Sequence, residues 1–136
     1  MCMRILIING PNLNLIGQRE PQIYGIQTFE AYLEELKSNS SHDIDYFQSN
    51  IEGEIIDELQ KSNHDGIIIN AGGYTHTSVA IRDCIKGIGK IVIEVHISNI
   101  TERESFRHTS MLSPVVNGCI FGFGLKGYEL ALNYFN

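Results

Sequence analysis

Four short apolar runs constrain most strongly what this chain can fold into: ILII at residues 5–8, III at 67–69, IVI at 91–93 and CIF at 119–121. Each has the length of a strand, and each is apolar at successive positions. A strand covered on one face alternates apolar with polar residues, whereas one lying between two helical layers does not need to. The four runs therefore predict parallel strands buried on both faces. DIDY at 43–46 alternates, and predicts an edge strand covered on one side. Helical spacing fills the intervals. Phe29, Leu33 and Leu36 share one face, as do Ile51, Ile55 and Leu59, with Asn50 as N-cap ahead of Glu52 and Glu54. A third helix is predicted over about residues 77–86, and a fourth carries Leu125, Tyr128, Leu132 and Phe135. Strand and helix alternate five times, which predicts a doubly wound α/β sandwich around a five-stranded parallel sheet. With 136 residues, the chain is read as one domain over 1–136, large enough for a hydrophobic core.

Composition narrows the function classes. A net charge of -6, with no run of Lys or Arg, argues against a general nucleic-acid binder. It leaves room for a small anion held by a few local cations and backbone N–H groups. No apolar run approaches membrane-spanning length, and strand-like sequence begins at once without a signal-peptide pattern, so no membrane partner is expected. Cys2, Cys84 and Cys119 are odd in number and lack metal-ligand spacing. They read as reduced thiols of a cytoplasmic protein.

In an open parallel sheet, ligands bind beyond the carboxyl ends of the strands, where strand order reverses. The residues just after each apolar run are therefore the informative ones. They are NGPN at 9–12, NAGGYTH at 70–76 and EVHISN at 94–99. In the flavodoxin-like order 2-1-3-4-5 these three segments are neighbours, so asparagines, His76, His96 and Ser98 converge on one cleft. The same edge begins a long connection, about residues 9–27, with GQREPQIYG at its centre. Loops beyond about 12–15 residues are uncommon in compact domains and often serve as active-site lids. That raises Arg19 and Tyr24 above ordinary surface residues, within a lid loop at about 17–26. Taken singly, Tyr24 reads as a packing tyrosine, His76 as a helix cap and His96 as a satisfied strand-end histidine. Their convergence on one edge favours a shared chemical role. TERE at 101–104 matches a capping box, and a helix there would put Arg103 and Arg107 on one face; alone it reads as a charged surface helix.

Several chemistries lack their signatures. No Walker loop occurs, no GxGxxG follows the first strand, and no GxSxG elbow is present. Asn9 stands where a phospho-acceptor receiver would carry aspartate. His76 and His96 without a carboxylate close by make a weak metal set. Acid–base chemistry on a small polar molecule, without metal or cofactor, remains. A flavodoxin-like module that holds a metabolite without turnover is the alternative, though it has little need of a paired base and acid.

Four long segments carry a specific resemblance: NGPNLNLIGQREPQIYG, NAGGYTHTSVAIRD, EVHISNITERESFRHTS and GFGLKGYELAL. In order and spacing they are similar to the signature segments of type II 3-dehydroquinases. The departures are Ile26, Gln27 and Gly72–Gly73, where less glycine is expected. The resemblance implies anti elimination of water from 3-dehydroquinate through an enolate. It makes Tyr24 the base, Arg19 its cationic partner, Asn12 a stabiliser of the enolate oxygen, and His96 the general acid oriented by Glu94. It assigns the substrate carboxylate to Ile97 and Ser98, and the ring hydroxyls to Asn70, His76 and Arg107. It further implies trimers assembled into a homododecamer, with Asp83 approaching a neighbouring subunit's site.

Overall fold

The computed structural model describes residues 2–18 and 27–136. Strands β1 (Arg4–Asn9), β2 (Asp43–Gln48), β3 (Gly66–Asn70), β4 (Ile91–His96) and β5 (Gly118–Phe121) form one parallel sheet, as the alternation predicts, and in the expected flavodoxin-like order β2-β1-β3-β4-β5. Helices α1 (Phe29–Asn39), α2 (Glu52–Lys61), α3 (Val79–Ile88) and α4 (Lys126–Asn133) cover its two faces. The two-residue period of a strand divides the core between them. Ile5, Ile7, Ile68, Ile93 and Val95 pack with Phe29, Leu33 and Leu36 of α1 and Tyr128, Ala131 and Leu132 of α4. Leu6, Ile8, Ile67, Ile69 and Val92 pack with Ile55 and Leu59 of α2 and Ile81 and Ile85 of α3.

Helix ends follow local side-chain chemistry. The Thr28 hydroxyl accepts from the Ala31 N–H at 3.2 Å and starts α1. The Ser78 hydroxyl accepts from the Ile81 N–H at 2.9 Å, so α3 begins at Val79, two residues later than its periodicity predicts. Asn50 is not the cap of α2. That position is Ile51, whose N–H is held by the Ser49 hydroxyl at 3.0 Å. Ile51 accordingly leaves the apolar face and is 57% exposed.

Two further expectations are corrected. β5 is not buried on both faces: its residues alternate between half-buried and exposed, with Phe121 39% exposed. The cause is the β4–β5 crossover, which has no α-helix and consists of short 3₁₀ turns at Ile100–Glu102, Ser105–His108 and Ser113–Val115. The capping box likewise gives no α-helix. Asn99 takes the cap position, its side chain accepting from both the Thr101 N–H (3.2 Å) and hydroxyl (2.6 Å), and one 3₁₀ turn follows.

Close approach at the sheet's upper edge depends on small residues. The Gly10 N–H donates to the Asn70 carbonyl at 2.7 Å, and a side chain there would collide with the Ala71 backbone. Gly72 has φ +59°, a left-handed conformation that costs other residues about 1–2 kcal/mol. The unexpected glycine at position 72 thus has a conformational reason. A Cβ at Gly73 would meet nothing within 4 Å, so nothing in the structure requires glycine there.

Candidate active site

At the carboxyl ends of β1, β3 and β4 lies a pocket lined by Pro11, Asn12, Leu13, Asn70, Gly72, Gly73, His76, His96, Ile97, Ser98, Ile100, Arg103 and Arg107. Of the residues singled out in the sequence, it collects Asn12, Asn70, His76, His96, Ile97, Ser98 and Arg107. Glu94 stands directly behind His96. Asp83 is not part of this pocket. It sits on α3, beside Ala80, Cys84 and Gly87, in a groove shared with Ile56 and Gln60 of α2. Arg19 and Tyr24, like Ile26 and most of the lid loop, lie outside the described residues. The beginning of that connection is anchored: Leu13–Leu15 form a 3₁₀ turn, and Leu13 and Ile16 are buried.

Asn12 holds the left-handed conformation, φ 69°, the only non-glycine among the described residues to do so. Asparagine tolerates it better than most side chains. Its N–H donates to the Asn50 side chain at 2.9 Å, and Gln48 donates to the same oxygen at 3.3 Å and to the Gly10 carbonyl at 3.1 Å. Asn50 therefore organises the loop that carries Asn12.

Beneath the pocket, buried polar groups of β1, β2, β3 and α4 form a chain. The Asn70 amide donates to the Tyr128 hydroxyl at 3.0 Å, and that hydroxyl donates to the Asn9 side chain at 2.7 Å. Asn9 in turn donates to the Tyr46 hydroxyl at 3.3 Å, while Asn70 Oδ1 accepts from the Gly72 N–H at 3.2 Å. This chain fixes which way the Asn70 amide presents its donor and acceptor. Burial pushes the Tyr128 phenol upward and that of Tyr46 up to about 12, so both act as neutral hydrogen-bonding groups.

His96 and Glu94 are two apart on β4 and share a face of the sheet. His96 Nε2 lies 2.5 Å from Glu94 Oε2, which also accepts from the Ser110 hydroxyl at 2.8 Å; Oε1 accepts from Ser113 at 2.7 Å. Burial opposes the charge on Glu94, but the bonds from His96, Ser113 and Ser110 together outweigh it and hold the carboxyl below its ordinary value. Glu94 is thus an anchored anion, and Nδ1 of His96 is the nitrogen left for a ligand. The His76 ring stacks at 6.3 Å from that of His96, and His76 Nδ1 donates to the Thr109 carbonyl at 2.8 Å. Burial lowers its pKa, with smaller contributions from His96 and Arg107, so His76 is neutral near pH 7.

The cations Arg103 and Arg107 both reach the rim, although they do not share one helix: Arg103 caps the end of the Ile100–Glu102 turn, and Arg107 lies in the Ser105–His108 turn. Arg103 Nη1 donates to the Ser98 hydroxyl at 3.3 Å, and Arg107 Nε donates to Glu104 at 2.9 Å. Sequence reasoning missed Arg103 as a lining residue, although its pairing with Arg107 carried a signal. It also missed Ser110 and Ser113, which reach Glu94 from a crossover with no periodic pattern. Among the described residues no lysine lines the pocket.

These titrations set the direction of acid stability. His76 has its pKa depressed below 6.5, so below that pH the unfolded chain binds the proton first and folding stability is lost. Glu94 is depressed below 4.5, so its contribution is present above that pH and is lost as pH falls through its folded value. Both have the same sign. Thermal midpoints are expected to decline from pH 7 downward, with His76→Gln flattening the part of the curve just below 6.5. A wild-type midpoint that rises on acidification contradicts this.

A doubly wound parallel sheet with a hydrogen-bonded Glu94–His96 pair and two arginines gathered at the carboxyl ends of its strands defines a small α/β protein with a polar pocket at that edge. Comparison with known proteins makes it specific: residues 3–136 match the family model for dehydroquinase class II, and the chain belongs to that family. It is 55% identical to a 3-dehydroquinate dehydratase of Francisella philomiragia, over 98% of this chain and 97% of that one. It is 54% identical to one from Clostridium beijerinckii, over 96% and 93% of the two chains. The solved type II dehydroquinase of Butyrivibrio crossotus superposes with a TM-score of 0.93 at 48% identity, covering 98% of this chain and 97% of that one.

Proposed function

We propose that this protein is a 3-dehydroquinate dehydratase, a hydro-lyase that converts 3-dehydroquinate to 3-dehydroshikimate and water within the shikimate pathway. The observation that carries this is the gathering of Asn12, Asn70, His76, His96, Ile97, Ser98 and Arg107 around one pocket in a chain of that family. The substrate carboxylate sits against the backbone N–H groups near Ile97 and Ser98. Its hydroxyls meet Asn70, His76 and Arg107. Tyr24, as tyrosinate beside Arg19, removes the proton next to the ketone, and the electrons pass to an enolate oxygen stabilised near Asn12. The enolate then collapses, the hydroxyl departs on the opposite face, and His96 gives it a proton to form water. Glu94 holds the imidazole in orientation and balances its charge while protonated. The lid of about residues 17–26 excludes water during these steps.

The active form in this reading is a cytoplasmic homododecamer, a tetramer of trimers, in which Asp83 of one subunit completes the site of another. The position of Asp83 on α3, away from its own chain's pocket, suits that role. With a conjugated enone as product, ultraviolet absorbance on mixing with 3-dehydroquinate tests the proposal directly. Absorbance should rise, and enzyme treated with borohydride in the presence of substrate, then freed of both, should keep its activity, because no step needs an imine on lysine. Light scattering on the same sample should show an assembly larger than a dimer. No absorbance change sinks the activity; a lysine adduct sinks the enolate route; a fully active monomer removes Asp83 from the mechanism. A module that only binds would retain the anion and show no enone.

A further inference from the structure

The structure supplies what the sequence lacked for a metal set, a carboxylate at a histidine, and adds a thiol. Glu94 and His96 lie two apart on one face of β4, and strand register places Cys119 of β5 beside Glu94. One ligand atom from each, a carboxylate oxygen, an imidazole nitrogen and Sγ, lie within 4.8 Å of one another. The geometry points to a binding site for a borderline-soft divalent cation of the zinc type at Glu94, His96 and Cys119.

Zinc-type ions bind carboxylate, imidazole and thiolate with bonds of about 2.0–2.3 Å, which separates tetrahedral ligand atoms by about 3.3–3.7 Å. Closing from 4.8 Å, and opening the 2.5 Å His96–Glu94 contact, requires shifts of about 1 Å at the ligand atoms. The supporting shell is present. Ser113 donates to Glu94 Oε1 at 2.7 Å and reaches Cys119 Sγ at 3.8 Å, while Ser110 holds Glu94 Oε2. Such outer hydrogen bonds orient ligands and sustain affinity. Without a cation, burial and the Glu94 charge push the Cys119 thiol up to about 11, so it is no nucleophile. A divalent ion inverts that electrostatic balance. Binding releases the Cys119 thiol proton to solvent, while His96 binds as neutral imidazole with one N–H kept and Glu94 binds as the carboxylate it already is. Resting here on the proposed acid role of His96, occupancy also stops catalysis, which makes the site inhibitory.

Co²⁺ added to the full-length protein serves as the probe, read by the near-ultraviolet charge-transfer band of a cobalt–thiolate bond. The band should saturate at one equivalent, persist in Cys2→Ser and Cys84→Ser, and disappear in Cys119→Ser. Affinity should fall by about 10–100-fold in Ser113→Ala, the loss usual for an outer-shell partner. Zn²⁺ should displace the cobalt and lower wild-type turnover by about 10-fold or more, while Cys119→Ser keeps its activity in the same Zn²⁺. Absence of the band, or a band unchanged in Cys119→Ser, overturns the site. A Cys119-dependent band with turnover untouched by Zn²⁺ keeps the site and removes His96 as the acid.

Discussion

Tyr24→Phe is expected to reduce turnover toward the upper end of the about 10²–10⁴-fold range set by loss of a general base, while the fold and the affinity for a substrate-like anion survive. The substitution keeps an aromatic ring and removes only the hydroxyl proposed as base. A free tyrosine has a pKa of about 10, so at neutral pH about a thousandth is ionised. Lowering that by about two units requires about 2.7 kcal/mol. A guanidinium about 4 Å away at an effective dielectric near 20 can supply about 4 kcal/mol, so one arginine in the same loop suffices. Arg19→Gln should therefore act differently from Tyr24→Phe. Activity lost near pH 7 should return partly in alkaline buffer, because the acidic limb of the kcat/KM profile moves upward. The double variant should be little worse than Tyr24→Phe alone, as for residues that work as one unit. A loss independent of pH in Arg19→Gln would transfer the task to another cation, and Arg103 on the pocket rim is the next one to test.

His96→Ala is the second large effect, with kcat expected to fall by about 10²–10⁴-fold and anion binding nearly retained. The structure sharpens the expectation through Glu94. Removing the imidazole leaves a buried carboxylate with Ser110 and Ser113 as its remaining partners, at a cost of about 1–3 kcal/mol. His96→Ala should thus also lower the thermal midpoint by several degrees, whereas His96→Gln should restore stability without restoring kcat. Steady-state kinetics and thermal unfolding of the two variants separate the roles. An unchanged kcat in either returns His96 to a purely structural place at the end of β4.

The layering of the sheet was legible because period two and period 3.6 leave different marks: Ile5 and Ile7 part company with Leu6 and Ile8, and Leu33 and Leu36 return to one face. β5 was misread because three apolar residues look alike whether one face or both are covered, and its exposure depends on a crossover without a helix. Asn50 was misread for a related reason. It suits a cap, but the chain turns one residue later and spends that side chain on the Asn12 loop. In the site, residues at strand ends could be found because topology fixes where those ends meet. Arg103, Ser110 and Ser113 could not be ranked the same way, since irregular turns carry them and no period predicts where a turn points. Gly72 shows the converse: a residue that looked out of pattern is explained by its positive φ.

Stereospecifically labelled 3-dehydroquinate gives the most direct test of an anti elimination driven by a base on one face and an acid on the other. Substrate carrying deuterium at the position beside the ketone, on the face opposite the departing hydroxyl, is turned over and the product is analysed by mass spectrometry. The account predicts that this deuterium is lost to solvent and the other hydrogen is kept. Product that retains the deuterium and loses the hydrogen on the hydroxyl's own face contradicts it.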